Sequence, residues 1–148
     1  MATAEKWTPR GQGDAGEASA ICWVLSQGGY VFVPAGHTPS DFDLLAYFGE
    51  EVLRVQVKTS TQFREGRFDV QISTRGGNQS WNGTVKRLDA SRCDRLFIHV
   101  GDGRRWFIPA SELGGGSHLT LGGPKYAEFE IEAAQPLMSR SGTTDYTR

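Results

Sequence analysis

The sequence predicts a single α/β (α+β) domain built on a mixed β-sheet, and three observations lead there. One helical segment near the start is followed by runs of apolar alternation rather than by further long helices. Two turn signals, Gly49-Glu50 and Asp102-Gly103, each join a pair of strand-like runs. A length of 148 residues suffices for one domain with a real core and is short for two.

Residues 1–12 are polar, with Pro9 and Gly11, and read as a flexible arm ahead of a domain spanning 13–134. A helix follows. Asp14 can cap it, and Glu17 three residues on completes a capping-box spacing. Ala18, Ile21, Cys22 and Leu25 recur at helical spacing as its apolar stripe, and Gly28-Gly29 ends it. Residues 30–33 form a short apolar strand closed by Pro34, and 35–40 form a loop.

Two strand-like runs, 42–48 and 52–59, flank the Gly49-Glu50 turn, and Phe68, Val70 and Ile72 alternate as another strand. Residues 75–81 form a glycine- and asparagine-bearing loop, and 84–92 a short helix. Strands 96–100 and 106–108 join through Asp102-Gly103, and 109–112 begin a turn or short helix. Gly114 to Gly116 is a flexible break. Phe129 and Ile131 alternate with glutamates as a half-exposed late strand. Residues 135–148 carry almost no apolar content and are expected to be a disordered tail.

No run of about 18 apolar residues exists, so no membrane span is expected. The start of the chain has no signal-peptide pattern. Cys22 and Cys93 are far apart without metal-ligand spacing and read as reduced core thiols of a cytoplasmic protein. The net charge of −1 hides an uneven distribution. Residues 1–53 sum to roughly −5, residues 54–105 to roughly +6, and the remainder to roughly −2. The basic middle is a candidate phosphate-contacting region, with Arg75, Lys86 and Arg87 flanking its loop. A solvated surface with charges balanced in space is the plainer reading.

The first hairpin converts sequence into geometry. With Gly49 and Glu50 at its tip, opposite positions sum to about 99, which places Asp43 across from Gln56. Gln56 and Lys58, two apart, share one face, while Leu53, Val55 and Val57 point into the core. An acid, an amide oxygen and an ammonium thus converge. Alone, a strand lysine is usually solvated and an aspartate before a strand is usually a turn former. Together they suit phosphodiester chemistry. Asp43, Gln56 and the Val57 main-chain carbonyl offer hard oxygens to a divalent cation. Lys58 can orient or deprotonate a water, or hold a phosphate oxygen.

Asp43, a strand, a turn and then Val55-Gln56-Val57-Lys58-Thr59 resemble the PD-(D/E)XK nuclease superfamily. Glutamine in place of the second acid is similar to its group I intron homing endonuclease branch. Gly13 through Glu17, Gly29-Tyr30, Val33-Pro34, residues 40–44, Cys93 to Phe97 and Phe107-Ile108-Pro109 match further steps of that branch. The resemblance covers about residues 11–112. It implies a restriction-endonuclease-like core, a mixed sheet flanked by helices, and metal-dependent hydrolysis of DNA. It also implies Mg²⁺, with Mn²⁺ as a substitute, and a metal-side role for Glu17 that competes with helix capping. Asp41 is the rival acid, which the resemblance passes over for Asp43, and His37 stands just upstream. The proline-aspartate pair of the superfamily is absent, because Pro39 precedes Asp43 by several residues. The implied partner is duplex DNA, and cutting both of its strands implies a homodimer or higher homo-oligomer. The alternative is a nucleic-acid-binding module that keeps the fold and cuts nothing.

Overall fold

Thr8, not Asp14, starts the helix. In the computed structural model, which describes residues 8–36, 41–75, 85–86 and 88–137, helix α1 spans Pro9–Ser26. The Thr8 hydroxyl accepts the Gly11 N–H at 3.0 Å, and Pro9 stands in the first turn, where a missing N–H costs nothing. Residues 9–12 of the expected arm are therefore helical, and 1–7 lie outside the described residues. Asp14 and Glu17 sit inside the helix, so the capping-box reading of Glu17 is corrected and its carboxylate is left for other uses.

The buried stripe of α1 is also not the predicted one. Gly16, Ala20 and Val24 are buried at i, i+4 spacing, whereas Ala18 and Cys22 are exposed and Leu25 is 54 % exposed. Small residues form the contact because they let the helix lie close to the sheet. A Cβ on Gly16 would collide with the Thr59 methyl and meet Val57 Cγ1 at 3.3 Å. Cys22 is consequently a surface thiol, while Cys93 is buried as expected. The helix stops where predicted, with Gly28 at φ +80°.

Eleven strands follow among the described residues: β1 (Tyr30–Phe32), β2 (Leu44–Phe48), β3 (Glu51–Ser60), β4 (Phe63–Arg64), β5 (Arg67–Gln71), β6 (Thr74–Arg75), β7 (Val85–Lys86), β8 (Arg95–Val100), β9 (Arg105–Pro109), β10 (His118–Leu121) and β11 (Glu130–Ile131). A six-stranded sheet runs β1-β2-β3-β8-β9-β11. Its β3–β8 pair is parallel and its other pairs antiparallel, so it is the mixed sheet the sequence predicts. Helix α1 covers one face. The other face is covered by a small sheet, β10-β5-β4. Among the described residues no helix is long and apolar enough to cross a membrane.

Two apolar clusters result. Ala20 and Val24 of α1 pack on Leu44, Ala46, Leu53, Val55 and Phe97. On the far face Phe68, Val70, Leu119 and Leu121 of the small sheet pack on Leu96, Ile98, Trp106 and Ile108. Burying each large side chain contributes about 1.5–3 kcal/mol, so β8, buried from both sides, is the spine of the domain.

Three further predictions need correction. The short helix over 84–92 is replaced by β7, which pairs with β6, and by one turn capped by Asp89, whose carboxylate accepts the Ser91 N–H at 2.9 Å. β10 was not predicted as a strand, although Leu119 and Leu121 alternate on its buried side. The tail is packed through Leu137, which is 4 % exposed and donates its N–H to the Gly101 carbonyl at 3.2 Å. Residues 138–148 lie outside the described residues.

Candidate active site

The hairpin of β2 and β3 has the predicted register, from Phe48↔Glu51 at the tip to Leu44↔Val55 at the open end, with Gly49 at φ +62°. β2 then stops, while β3 runs on to Ser60 with β8 along its other side. Beyond Val55 the β2 side of β3 is therefore free of a strand partner among the described residues. Asp43 takes the first place along it. Its N–H donates to the Val55 carbonyl at 2.8 Å, and its Oδ2 accepts the Val57 N–H at 2.7 Å. The carboxylate thus stands in for the carbonyl of a further strand residue. This differs from the predicted face-to-face Asp43–Gln56 pair: the ladder ends at Leu44, and Asp43 folds onto the β3 backbone at Val57.

Parallel pairing with β8 sets the faces. Val57 lies opposite Phe97 on the helix side, while Gln56 and Lys58 lie opposite Leu96 and Ile98 on the far side. Gln56 and Lys58 share a face, as predicted, at the border of the far-side cluster. Gln56 is only 7 % exposed, and among the described residues its side-chain amide makes no hydrogen bond. Buried amides are nearly always paired, and the hydrogen bonds among the described residues leave this one open.

Lys58 is half-buried. Burial lowers its pKa, and the nearby Asp43 carboxylate partly opposes that shift. Burial raises the pKa of Asp43, against the lowering effects of the Val57 N–H and of Lys58. Glu17 projects from the neighbouring part of α1. Its pKa is raised by burial, then by the negative charges of Asp43 and Asp14. Asp43 is therefore the link: it is coupled to Lys58, and its charge disfavours ionisation of Glu17.

Asp41, the rival acid, is buried and forms an ion pair with Arg92 at 3.1 Å. That engagement separates it from Asp43. His37 lies outside the described residues, as does Arg87. Arg75 and Lys86 fall on the β6–β7 ribbon, which pairs Thr74 with Lys86 and Arg75 with Val85 and forms a two-stranded sheet separate from the one that holds β3.

Sequence reading missed the polar cleft beside the C-terminal half of β3. The first turns of α1 meet β5 and β10 there, and Gln12, Thr59, Thr61, Gln62, Gln71 and His118 line it. Gln12 Nε2 donates to Thr59 Oγ1 at 3.0 Å, clasping the helix to the strand one residue past Lys58. No local signal marks these residues, because the cleft exists only where three distant segments converge.

Comparison with known proteins bears on the fold and the family. No curated protein matches the chain. Among solved structures it is similar to that of a bacterial homing endonuclease, I-Ssp6803I, with a TM-score of 0.72 at 21 % identity over 83 % of this chain and 88 % of that one. At that identity the likeness speaks for the fold. A family model described as PD-(D/E)XK endonuclease matches residues 7–127, a span that includes α1, the β2–β3 hairpin and β8–β9. The chain belongs to the PD-(D/E)XK endonuclease family.

Proposed function

We propose that the protein is a Mg²⁺-dependent endodeoxyribonuclease that hydrolyses phosphodiester bonds of duplex DNA at a site made by Asp43, Gln56, Lys58 and Glu17. The observation that carries this reading is the buried amide of Gln56, without a hydrogen bond among the described residues, on the strand that also carries Lys58 and anchors Asp43, with Glu17 close to Asp43.

These residues fit a divalent cation. Among the described residues no three His, Cys, Asp or Glu side chains gather as a metal nest. A cation here would draw on Asp43 and Glu17 for charge, and on the Gln56 amide and the Val57 carbonyl for neutral oxygens. When bound, Mg²⁺ or Mn²⁺ would neutralise charge developing on the scissile phosphate. The Val57 N–H holds Asp43 in one orientation, so its carboxylate is organised before substrate arrives. Lys58 orients the attacking water and holds a phosphate oxygen. Arg75, Lys86 and Arg87 contact the DNA backbone and set affinity rather than chemistry. One site per chain and two strands to cut favour a homodimer or higher homo-oligomer, acting in the cytoplasm.

The test is incubation of supercoiled plasmid with the protein and Mg²⁺ or Mn²⁺, with and without chelator. Chelator-sensitive nicking is expected. DNA retention in Ca²⁺ without any nicking in Mg²⁺ would instead identify a binding module that has lost the chemistry.

A further inference from the structure

The small sheet β10-β5-β4 turns Phe68, Val70, Leu119 and Leu121 onto the six-stranded sheet and presents its other face to solvent. Side chains alternate along a strand and cross-strand partners share a face, so Arg67, Asp69 and Gln71 of β5 stand outward beside Arg64, Thr120 and His118. All six are exposed, and all six are polar. The face is tied to the strand that carries Lys58. The Ser60 hydroxyl, two residues past Lys58, donates to the Asp69 carbonyl, and the Asp69 N–H donates to the Gln62 carbonyl at 2.9 Å. The cleft beside Thr59 reaches Asp69, Gln71 and His118, and a second hollow, lined by Arg64, Glu65, Arg67, Asp69 and Thr120, adjoins it at Asp69. Arg64 and Arg67 sit opposite each other in the ladder. Like charges so placed destabilise a sheet, and among the described residues neither guanidinium has an ion pair. The Arg67 guanidinium lies over Gly123, where a Cβ would stand 2.8 Å from its Cζ.

We propose that this face reads base edges in the major groove of a duplex target, with Asp69, Gln71, His118 and Thr120 toward the bases and the Arg64–Arg67 pair on a backbone phosphate. The proposal rests on the reading of the protein as a DNA endonuclease and adds to it a preference for sequence. A two-stranded ribbon such as β5–β10 fits the major groove, which is about 12 Å wide. From Arg67 to Gln71 the strand rises about 13 Å, the length of roughly four base-pair steps. The side chains match base edges: a carboxylate accepts from the cytosine amino group, an amide pairs with adenine, and a hydroxyl serves either. The Gln71 amide is lightly engaged, its Nε2 3.5 Å from Ser73 Oγ. Asp69 repels a phosphate, so its place in the middle of the face suits bases rather than backbone. A phosphate held by Arg64 and Arg67 together removes the repulsion of the bare pair. Other occupants fit less well. A single strand stacks on aromatic rings, and a protein partner needs an apolar centre; this face offers neither. An RNA duplex keeps its major-groove edges in a deep, narrow groove that side chains do not enter.

The experiment is selection from a pool of duplexes with a randomised segment of about two helical turns, retained by the full chain in Ca²⁺ and sequenced. Wild type is expected to enrich one motif whose preference includes roughly four adjacent base pairs. Asp69→Ala and Gln71→Ala should each relax that motif at one position, where discrimination between bases falls about 5- to 100-fold. Arg64→Gln/Arg67→Gln should weaken binding to every duplex alike and reduce the slope of log affinity against log salt by about one to two units. Glu51→Gln, exposed at the tip of the β2–β3 hairpin, is the control and should keep both motif and slope. Circular dichroism and melting temperature should match wild type throughout, because every substituted side chain is exposed. A wild type that retains no duplex or retains all alike, or Asp69 and Gln71 variants with an unaltered motif, would overturn the proposal. Plasmid nicking in Mg²⁺ is read separately. Nicking without base preference sinks this proposal and leaves the nuclease reading standing, whereas base preference without nicking supports the reading face and sinks the nuclease reading.

Discussion

The Asp43 carboxylate accepts the Val57 N–H at 2.7 Å, one residue before Lys58. An acid near the free side of β3 is thereby anchored to the backbone of the strand that carries the lysine and the amide. The positions of Asp43, Gln56 and Lys58 are coupled through the main chain instead of depending on flexible side chains.

Replacing Lys58 by Ala should cut the nicking rate by about 10² to 10³ while leaving stability nearly unchanged, since a cation in a partly desolvated place is removed. Plasmid nicking and urea unfolding measure the two effects. Near wild-type nicking would remove Lys58 from the site.

Gln56→Glu changes charge at almost constant shape. Without metal the new carboxylate is buried and should lower the melting temperature. With Mg²⁺ it should bind the cation more tightly than wild type, because affinity for a hard cation follows ligand charge. Calorimetric titration with Mg²⁺ or Mn²⁺, alone and with an uncleavable duplex, checks this. Equal or weaker binding would mean that Gln56 is no ligand.

Neutralising Arg75, Lys86 and Arg87 together should weaken DNA binding and flatten its salt dependence. Each lost phosphate contact should reduce the slope of log affinity against log salt by about one unit. An unchanged slope would show that the β6–β7 ribbon faces away from DNA.

Two glycines in α1 should respond in opposite directions to alanine. At Gly16 the new methyl collides with Thr59 and forces helix and sheet apart, a loss of about 1–3 kcal/mol that exceeds the gain in helix propensity. At Gly13 nothing lies within 4 Å, so alanine should stabilise by about 0.4–1 kcal/mol. Chemical denaturation of the two variants measures both signs.

His99 makes stability depend on pH. Its Nδ1 meets Ser19 Oγ at 2.8 Å and its Nε2 meets the Gln135 carbonyl at 2.9 Å. Burial holds its pKa below the ordinary 6.5; the Gln135 carbonyl opposes this, Arg105 adds to it, and Asp102 opposes it. The unfolded chain therefore takes up this proton more readily than the folded one. Stability from this group is fully present above pH 6.5 and is lost as pH falls through the lower folded pKa. Melting temperatures from about pH 8 to 5 should fall less steeply in His99→Gln, once each variant is referred to its own value at pH 8.

Short-range stereochemistry was legible in the residues alone. A two-residue turn with glycine first leaves one register for its strands, so the β2–β3 ladder and the shared face of Gln56 and Lys58 follow directly from the position of Gly49. The stop of α1 at Gly28 was equally legible. At the second hairpin Gly103 does adopt φ +95°, but the pairing His99↔Arg105 with Val100 N–H on the Arg104 carbonyl closes a three-residue loop, 101–103, so the register is one residue off that of the expected two-residue Asp102-Gly103 turn. Apolar periodicity was less reliable where more than one stripe would serve. On α1 it favoured Ala18, Ile21, Cys22 and Leu25. The buried face is Gly16, Ala20 and Val24, because steric clearance above Thr59 selects the smallest side chains.

Tertiary structure alone decided which charged groups meet. Asp41 and Asp43 are equivalent in sequence, yet one pairs with Arg92 and the other binds the backbone of β3. Glu17 reads as a cap until the helix is seen to begin at Thr8, and only the packing of α1 on β3 brings it within electrostatic reach of Asp43. The pairing of β10 with β5, the cleft by Thr59 and the polar outer face of the small sheet likewise follow from contacts between distant segments. Turn chemistry and strand alternation act over a few residues and are written locally. The approach of a helix to a sheet, and the side chains it leaves in solvent, depends on the volumes and charges of both partners at once.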